Sequence, residues 1–273
     1  MQKHSEDFYK AAIKSAFPNS WSIRHPNICG GVSPIFLVNT PSCVQVCKFN
    51  EYALSFRNRA VSQLLELADV PVPRISVHAY LNTWFETYPY CHDKTLYEHI
   101  QYGATDTQIF NAFKQAIEIQ KKITEIRPDK FQPKFCRYAS DVFTMTQKMR
   151  LPPALANAYG MVHKLFSQRG EMRLMHNDLQ VQNILVDEKM NATRLIDLDS
   201  VALCNESFSV LTMLRVYPLN NHNEIMDFYE DTMQRKLNRH AIITGLQILQ
   251  SIRAPQLKLN QMLWRGYNPP PQR

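Results

Sequence analysis

The sequence lacks a hydrophobic run long enough to cross a membrane as a helix, which takes about 20 apolar residues. Its most apolar long stretch, residues 241–252, is interrupted by polar residues such as Thr244 and Gln247. The first residues include Glu6 and Asp7, where a secretory signal would be apolar. We therefore expect no transmembrane segment and a cytoplasmic location.

Cysteine and glycine are also scarce. The six cysteines include no C-x-x-C pair, so neither a zinc site nor a disulfide framework is indicated, and reduced thiols are expected. Glycine occurs only seven times, which makes the adjacent pair Gly30-Gly31, just before a β-rich run, a candidate for a close backbone approach. A plain hairpin turn is the alternative.

Acidic residues are absent after Asp231, and seven basic residues in that segment account for the whole net charge of +7. The segment is either a solvated helix face with a basic tail, or a site for an anionic partner or an acidic membrane surface. Nucleic acid is not expected as the main partner, because Trp264 and Tyr267 are the only stacking aromatics there and no recognised module is present. The basic residues are Arg235, Lys236, Arg239, Arg253, Lys258, Arg265 and Arg273.

Residues 174–202 contain two short motifs of polar residues whose side chains can bind a metal or transfer a proton. His176, Asp178 and Asn183 form H-x-D-x-x-x-x-N, and Asp197 ends an I-D pair fourteen positions after Asn183. Two short apolar runs around a polar turn predict a hairpin between them, which would bring Asn183 and Asp197 together, with Asp178 just ahead. Carboxylate and amide oxygens are suitable ligands for Mg²⁺, so Asn183 and Asp197 could hold this ion. The carboxylate of Asp178 would then be left to accept a proton.

These two motifs resemble the catalytic and metal-binding loops of the kinase-like phosphotransferases, which include aminoglycoside phosphotransferases, choline kinases and kinases of lipopolysaccharide-core sugars. The resemblance implies an α+β, two-lobed protein-kinase-like fold. A small antiparallel sheet with one helix would form an N-terminal nucleotide-binding lobe at residues 1–88, and a larger, mainly helical lobe would follow at residues 89–273. Helices are predicted at 5–17, 55–68, 105–126, 138–149, 154–167, 207–216, 224–237 and 240–252.

The resemblance also implies roles. Asp178 would accept or orient the proton of an acceptor hydroxyl, and Asn183 and Asp197 would hold Mg²⁺ at the phosphates of ATP. Asp199 would be a second acidic neighbour of the metal, or only a cap at a strand end. His176 would brace the loop.

On the nucleotide side, Gly30, Gly31 and Ser33 resemble the G-G-x-S loop that lies over the phosphates. Lys48 shares a strand face with two valines, and on this pattern alone it could be a solvated edge lysine. The resemblance implies instead that it is the strand lysine on the α- and β-phosphates. Glu86 and Tyr88 fall where the lobes would join, and backbone groups there would meet the adenine. Aromatic residues in this strand also fit a plain core role.

Related kinases pair the strand lysine with a helix glutamate, and counting back from V-P-V-P puts Arg59 at that position. Either Glu51, Gln63 or Glu66 takes the role, or the nucleotide alone positions Lys48, or the protein is a poor kinase. A pseudokinase or nucleotide-binding scaffold is therefore an alternative function. An atypical protein kinase ranks lower, because no D-F-G or A-P-E element is present.

The expected acceptor is a hydroxyl of a small molecule or sugar. Glu224, Asp227, Glu230 and Asp231 could face a cationic aminoglycoside or choline-like alcohol. The basic segment after them favours a neutral or anionic acceptor instead, such as a lipopolysaccharide-type sugar.

Overall fold

The structure is a computed structural model that describes residues 4–26, 33–127, 137–138, 153–166 and 172–250. The Gly30-Gly31 turn, residues 139–149 of a predicted helix and the tail after residue 250 lie outside these ranges.

A five-stranded antiparallel sheet forms the first part of the fold, in the order β1-β2-β3-β5-β4. Helix α1 lies on one face, where Tyr9 and Ile13 are buried with Phe36, Phe49 and Phe85. Ser5 caps this helix by accepting a hydrogen bond from the Phe8 backbone N–H. The elements are α1 Glu6–Ala16, β1 Ser22–Arg24, β2 Ile35–Asn39, β3 Val44–Asn50, β4 Ser76–Tyr80 and β5 Thr83–Pro89.

Helix α2 (Tyr52–Leu67) contacts β4 and β5 and also the 3₁₀ turn Leu198–Ser200. Its buried Val61 and Leu65 belong to the larger hydrophobic cluster, which continues into the C-terminal half. Helix α2 thus packs on the sheet and on the segment that contains Asp197 and Asp199 at once. The lobe boundary at residue 88 stays a prediction.

The second half is mainly helical and is centred on α4, whose Phe113, Ile117 and Ile123 are fully buried. Capping boxes at Thr95 and Thr105 begin α3 and α4. The helices are α3 Leu96–Gln101, α4 Asp106–Thr124, α5 Pro153–Phe166, α6 Glu206–Val216, α7 His222–Met233 and α8 at 239–250.

Two small sheets hold residues 172–205, which contain both sequence motifs, against these helices. One has the order β10-β9-β6 and the other β7-β11-β8. Their strands are β6 Lys94–Thr95, β7 Arg137–Tyr138, β8 Met172–Met175, β9 Ile184–Val186, β10 Ala192–Leu195 and β11 Ala202–Asn205. An antiparallel sheet followed by a mainly helical half is the α+β architecture predicted. No helix in the described ranges is long and apolar enough to span a bilayer.

Candidate active site

The predicted hairpin is present as β9 and β10, in which Ile184 pairs with Leu195. One residue further on, the Ile196 backbone N–H donates to the Asn183 carbonyl at 3.0 Å. The hairpin therefore places Asn183 beside the start of the Asp197 segment. Asp197 itself has a left-handed backbone, with φ of 65°, which costs a residue with a Cβ about 1 kcal/mol or more.

Asp178 is held by one of its two carboxylate oxygens. Oδ2 accepts from Asn183 Nδ2 at 2.8 Å and from Gln180 Nε2 at 3.0 Å. Asn183 Nδ2 also donates to the Asp178 carbonyl at 2.9 Å, which fixes the loop. Burial raises the pKa of Asp178, against the effect of His176, and Asp197 acts in the same direction as burial. These bonds orient Asp178 and leave its Oδ1 for a further donor.

His176 braces the loop, as the resemblance implied. It is fully buried, its Nε2 lies 2.9 Å from the Ile196 carbonyl, and its backbone N–H donates to Gln120 Oε1 at 3.1 Å. Burial lowers the pKa of His176, so the neutral ring donates its Nε2–H to that carbonyl.

Asn177 links the loop that contains Asp178 to helix α6. Its backbone is left-handed, with φ of 57°, and its Nδ2 donates to the Ser200 and Ala202 carbonyls at 3.1 and 3.3 Å. Its carbonyl accepts from Thr212 Oγ1 on α6 at 3.1 Å. The sequence motif did not assign this role.

Lys48 connects the sheet to the second motif. Its Nζ donates to Asp197 Oδ1 at 2.7 Å and to Asp199 Oδ2 at 2.8 Å. Burial by itself would lower the pKa of Lys48, but these two carboxylates outweigh it and raise the pKa, so the lysine stays charged. The structure thus brings together Lys48, Asp197 and Asp199, and Asp199 faces the lysine rather than capping a strand.

Asn58, not Arg59, is the α2 residue that faces this cluster. Its Nδ2 donates to Asp199 Oδ1 at 2.5 Å and to Glu86 Oε1 at 2.9 Å. Arg59 follows Asn58 by one residue, and successive residues of an α-helix point about 100° apart. Arg59 therefore points away from this cluster and is exposed. The alternatives Glu51, Gln63 and Glu66 are exposed as well.

The buried face of α2 could have located Asn58 from the sequence. It carries Ser55, Asn58, Ser62 and Leu65, which are three or four residues apart. An uncharged amide at this position cannot pair ionically with Lys48, so the two aspartates take that role.

Glu86 is a buried carboxylate beside Lys48 in the sheet. It lies within β5, paired with Lys48 of β3 on one side and Val77 of β4 on the other. Its predicted contact with a nucleotide stays a prediction. Its side chain is 1% exposed and accepts from Asn50 Nδ2 at 2.8 Å as well as from Asn58. Burial raises the pKa of Glu86 to about 7.

Ser33 and Tyr88 lie at the edges of this network. Ser33 Oγ donates to Asn50 Oδ1 at 2.7 Å, so the end of the Gly-rich segment is linked to Glu86 through Asn50. Tyr88 pairs with Val46 near the end of β5 and packs partly buried against the larger cluster. Their contacts with a nucleotide stay predictions.

Arg57 is a buried arginine that the sequence did not single out. Its guanidinium donates to the Asp199 carbonyl at 2.9 Å, to the Leu198 carbonyl at 3.4 Å and to the Val201 carbonyl. These bonds attach the 3₁₀ turn, which contains Asp199, to helix α2.

The basic segment after Asp231 does not offer free charge where the structure describes it. Arg235 pairs with Glu206 at 3.1 Å, Lys236 with Glu230 at 3.1 Å, and Arg239 with Glu230 at 2.8 Å. The anionic or membrane partner expected there is therefore not supported, because carboxylates of the same half already neutralise these three residues.

The donor set of the hairpin suits a hard cation. Asn183 and Asp197 offer amide and carboxylate oxygens, and Mg²⁺ is commonly held by one or two carboxylates plus substrate phosphates. Within the described ranges, no group of three His, Cys, Asp or Glu side chains could hold a metal alone. A Mg²⁺ site formed by Asn183, Asp197 and a substrate phosphate is consistent with these oxygens and with the lack of a complete protein ligand set in the described ranges.

Comparison with known proteins identifies the fold of the chain through solved structures and not through sequence. No family model matches the chain, and no curated sequence does. An aminoglycoside-3'-phosphotransferase of type VIII is similar in structure, with a TM-score of 0.66 at 12% identity over 90% of this chain and 98% of that one. A spectinomycin phosphotransferase, solved with ADP and spectinomycin, has a TM-score of 0.64 at 13% identity over 91% and 85%.

A macrolide 2'-phosphotransferase of type I is also similar, with a TM-score of 0.61 at 12% identity over 95% of this chain and 94% of that one. The chain thus has the protein-kinase-like fold of the aminoglycoside and macrolide phosphotransferases. This confirms the fold class predicted from the two motifs.

Proposed function

We propose that this protein is a phosphotransferase that uses ATP and Mg²⁺ to phosphorylate a hydroxyl of a small molecule or sugar. One observation carries the proposal. In a fold shared with phosphotransferases, Asp178 is held through Oδ2 by Asn183, while the neighbouring Asp197 and Asp199 converge on Lys48.

Asp178 is the proposed proton acceptor. Asn183 and Gln180 donate to its Oδ2 and so hold the side chain, and its raised pKa makes it a better base than an exposed aspartate. General-base help of this kind contributes about 10²- to 10⁴-fold in rate.

Asn183 and Asp197 are the proposed Mg²⁺ ligands, with Asp199 as a second acidic neighbour. The metal, when bound, supplies charge neutralisation at the nucleotide phosphates. Lys48 is proposed as the protein cation at those phosphates, with Gly30, Gly31 and Ser33 over them and Tyr88 toward the adenine.

A nucleotide-binding pseudokinase is the second candidate, favoured by the uncharged Asn58 on α2. Without a helix glutamate, Lys48 is held by Asp197 and Asp199, the carboxylates that also have to serve the metal. Such a protein would bind ATP without transferring phosphate.

A radiolabelled γ-phosphate transfer screen tests the proposal. The acceptors are neutral, acidic and amino sugars, an aminoglycoside, choline and a generic protein, with ATP and GTP as donors. Transfer to a small hydroxyl compound supports the proposal. Transfer to the protein alone indicates an atypical protein kinase.

A thermal-shift titration with ATP and Mg²⁺ completes the test. Stabilisation by nucleotide without transfer to any acceptor identifies the pseudokinase. No stabilisation and no transfer contradict both candidates. Cell fractionation tests the proposed cytoplasmic location.

A further inference from the structure

A continuous network of hydrogen-bonded side chains joins Ser33, which follows the Gly30-Gly31 pair in sequence, to Lys48 on β3. Each side chain bonds to the next at a distance between 2.5 and 2.9 Å. The members of this Ser33–Lys48 network are, in order, Ser33, Asn50, Glu86, Asn58, Asp199 and Lys48. Because Ser33 and Lys48 are both proposed to lie at the nucleotide phosphates, the network connects two parts of the proposed nucleotide site.

Glu86 lies at the centre of the Ser33–Lys48 network. Its Oε1 accepts from Asn50 Nδ2 at 2.8 Å and from Asn58 Nδ2 at 2.9 Å. Asn50 belongs to β3 and Asn58 to α2, so one carboxylate oxygen of β5 joins three elements. Asn50 and Asn58 are only 4% and 1% exposed, so bulk water could not readily replace this acceptor if it were removed.

Asn58 links Glu86 to the carboxylate that holds Lys48. A primary amide has two N–H groups, and Asn58 Nδ2 donates both to Glu86 Oε1 and to Asp199 Oδ1, the second at 2.5 Å. Asp199 Oδ2 accepts in turn from Lys48 Nζ at 2.8 Å. A carboxylate at position 58 would repel both acids, whereas the amide bonds to both. The uncharged side chain of Asn58 is therefore suited to bridge them.

Asn50 links Glu86 to the other end of the network. Its Oδ1 accepts from Ser33 Oγ at 2.7 Å, while its Nδ2 donates to Glu86. Asn50 and Lys48 are two residues apart on β3 and so share one face of the strand, and Lys48 is paired in register with Glu86. The two ends of the network thus converge on Glu86 from one face of the sheet.

The buried carboxylate of Glu86 has a cost in stability. Its side chain is 1% exposed, and burial raises its pKa to about 7, so the folded state disfavours the charged form. An apolar residue at this position would avoid that cost. Packing alone does not account for a carboxylate here, whereas a need for one acceptor shared by two amides does.

We propose that Glu86 is a positioning residue for nucleotide binding and that it acts on both ends of the Ser33–Lys48 network. Through Asn58 it fixes the carboxylate that binds Lys48. Through Asn50 it fixes Ser33. The inference rests on the proposed function, to which it adds the group that holds the phosphate-binding side chains in place. The role requires an acceptor oxygen at position 86 and not a charge.

A double-mutant cycle on nucleotide affinity tests this role apart from phosphate transfer. Calorimetry gives the Kd of a non-hydrolysable ATP analogue with Mg²⁺ for the wild type, Glu86→Met, Lys48→Met and the double variant. Glu86→Met removes the shared acceptor and is expected to raise the Kd about tenfold. In the Lys48→Met background the same change should raise the Kd by less than about threefold, because the lysine that Glu86 positions is gone.

Glu86→Gln is the conservative variant. Its Oε1 can accept from both amides, so its Kd should stay within about threefold of the wild-type value. Glu66→Gln, which removes an exposed carboxylate of α2, is the matched control and should bind like the wild type. Thermal unfolding shows which variants are folded. If Glu86→Met does not fold, Asn58→Ala takes its place in the cycle, since it breaks the link to Asp199 and leaves Glu86 intact.

An unchanged Kd in Glu86→Met, equal losses in the two backgrounds, or a loss in Glu86→Gln as large as in Glu86→Met overturns this inference. No binding of the analogue by the wild type overturns it as well. The transfer screen keeps it distinct from the proposed function. Non-additive losses without phosphate transfer would retain the positioning role and contradict the function. Phosphate transfer with additive losses would retain the function and overturn the positioning role.

Discussion

Glu86→Gln tests the buried network beneath Lys48 through the pH dependence of stability. Burial raises the pKa of Glu86 from 4.5 to about 7 in the folded protein. As pH rises from about 4.5 to about 7, the unfolded chain loses this proton first, so the folded state becomes less stable over that window and levels off above it. At about 1.4 kcal/mol per pKa unit, the loss is about 3 kcal/mol.

The glutamine variant should lack this loss. Its Oε1 can still accept from Asn50 and Asn58, so the packing stays comparable. Urea unfolding of wild type and variant across the window gives the difference between them, which removes the contribution of other titrating groups. We expect the stability of the wild type relative to the variant to fall by about 3 kcal/mol from pH 4.5 to 7.

Glu188→Gln is the matched control, since Glu188 is an exposed carboxylate in the β9–β10 turn. Parallel pH curves for Glu86→Gln and the wild type would refute the argument, because they would mean that Glu86 titrates alike in the folded and unfolded states.

Three further substitutions test other parts of the structure. Arg239→Gln should cost about 1–3 kcal/mol in urea unfolding near pH 7. Arg239 lowers the pKa of Glu230 to about 2, so this cost should fade as pH falls from about 4.5 toward 2, and a pH-independent cost would contradict the pairing. Arg57→Leu leaves carbonyls of the 3₁₀ turn unpaired and should cost about 3–5 kcal/mol, so an unchanged unfolding midpoint would argue against this role. Lys48→Met should weaken ATP binding in calorimetry at least about tenfold, and equal affinity would exclude Lys48 from the phosphates.

The parts of the site that depend on local sequence could be predicted. The hairpin that joins Asn183 to the Asp197 segment is encoded by two apolar runs and a turn within a few residues. The alternation of a strand assigns the face on which Lys48 lies, and the structure places Lys48 on β3 as a buried residue. Its contact with phosphates stays a prediction. The fold class followed from the same motifs through the resemblance.

The remaining contacts depend on tertiary placement. Counting back from V-P-V-P, which lies in a loop, locates a position on α2 only to within about one residue. The count therefore indicates Arg59, whereas Asn58 is the residue that contacts Asp199. The position of Glu86 inside β5 is set by the pairing of β5 with β3 and β4, which the residues of β5 alone do not specify. The basic segment looked uncompensated because its partner Glu230 is separated from Arg239 by a turn that the sequence does not reveal.

The rate of γ-phosphate transfer by Asp178→Asn tests the central proposal most directly. The measurement is a single-turnover experiment with the acceptor that the screen identifies, alongside the Kd for ATP. We predict a rate at least about 100-fold below that of the wild type, with ATP affinity unchanged, because the amide keeps the shape of the side chain and cannot take the proton. Transfer by Asp178→Asn at the wild-type rate would contradict the account.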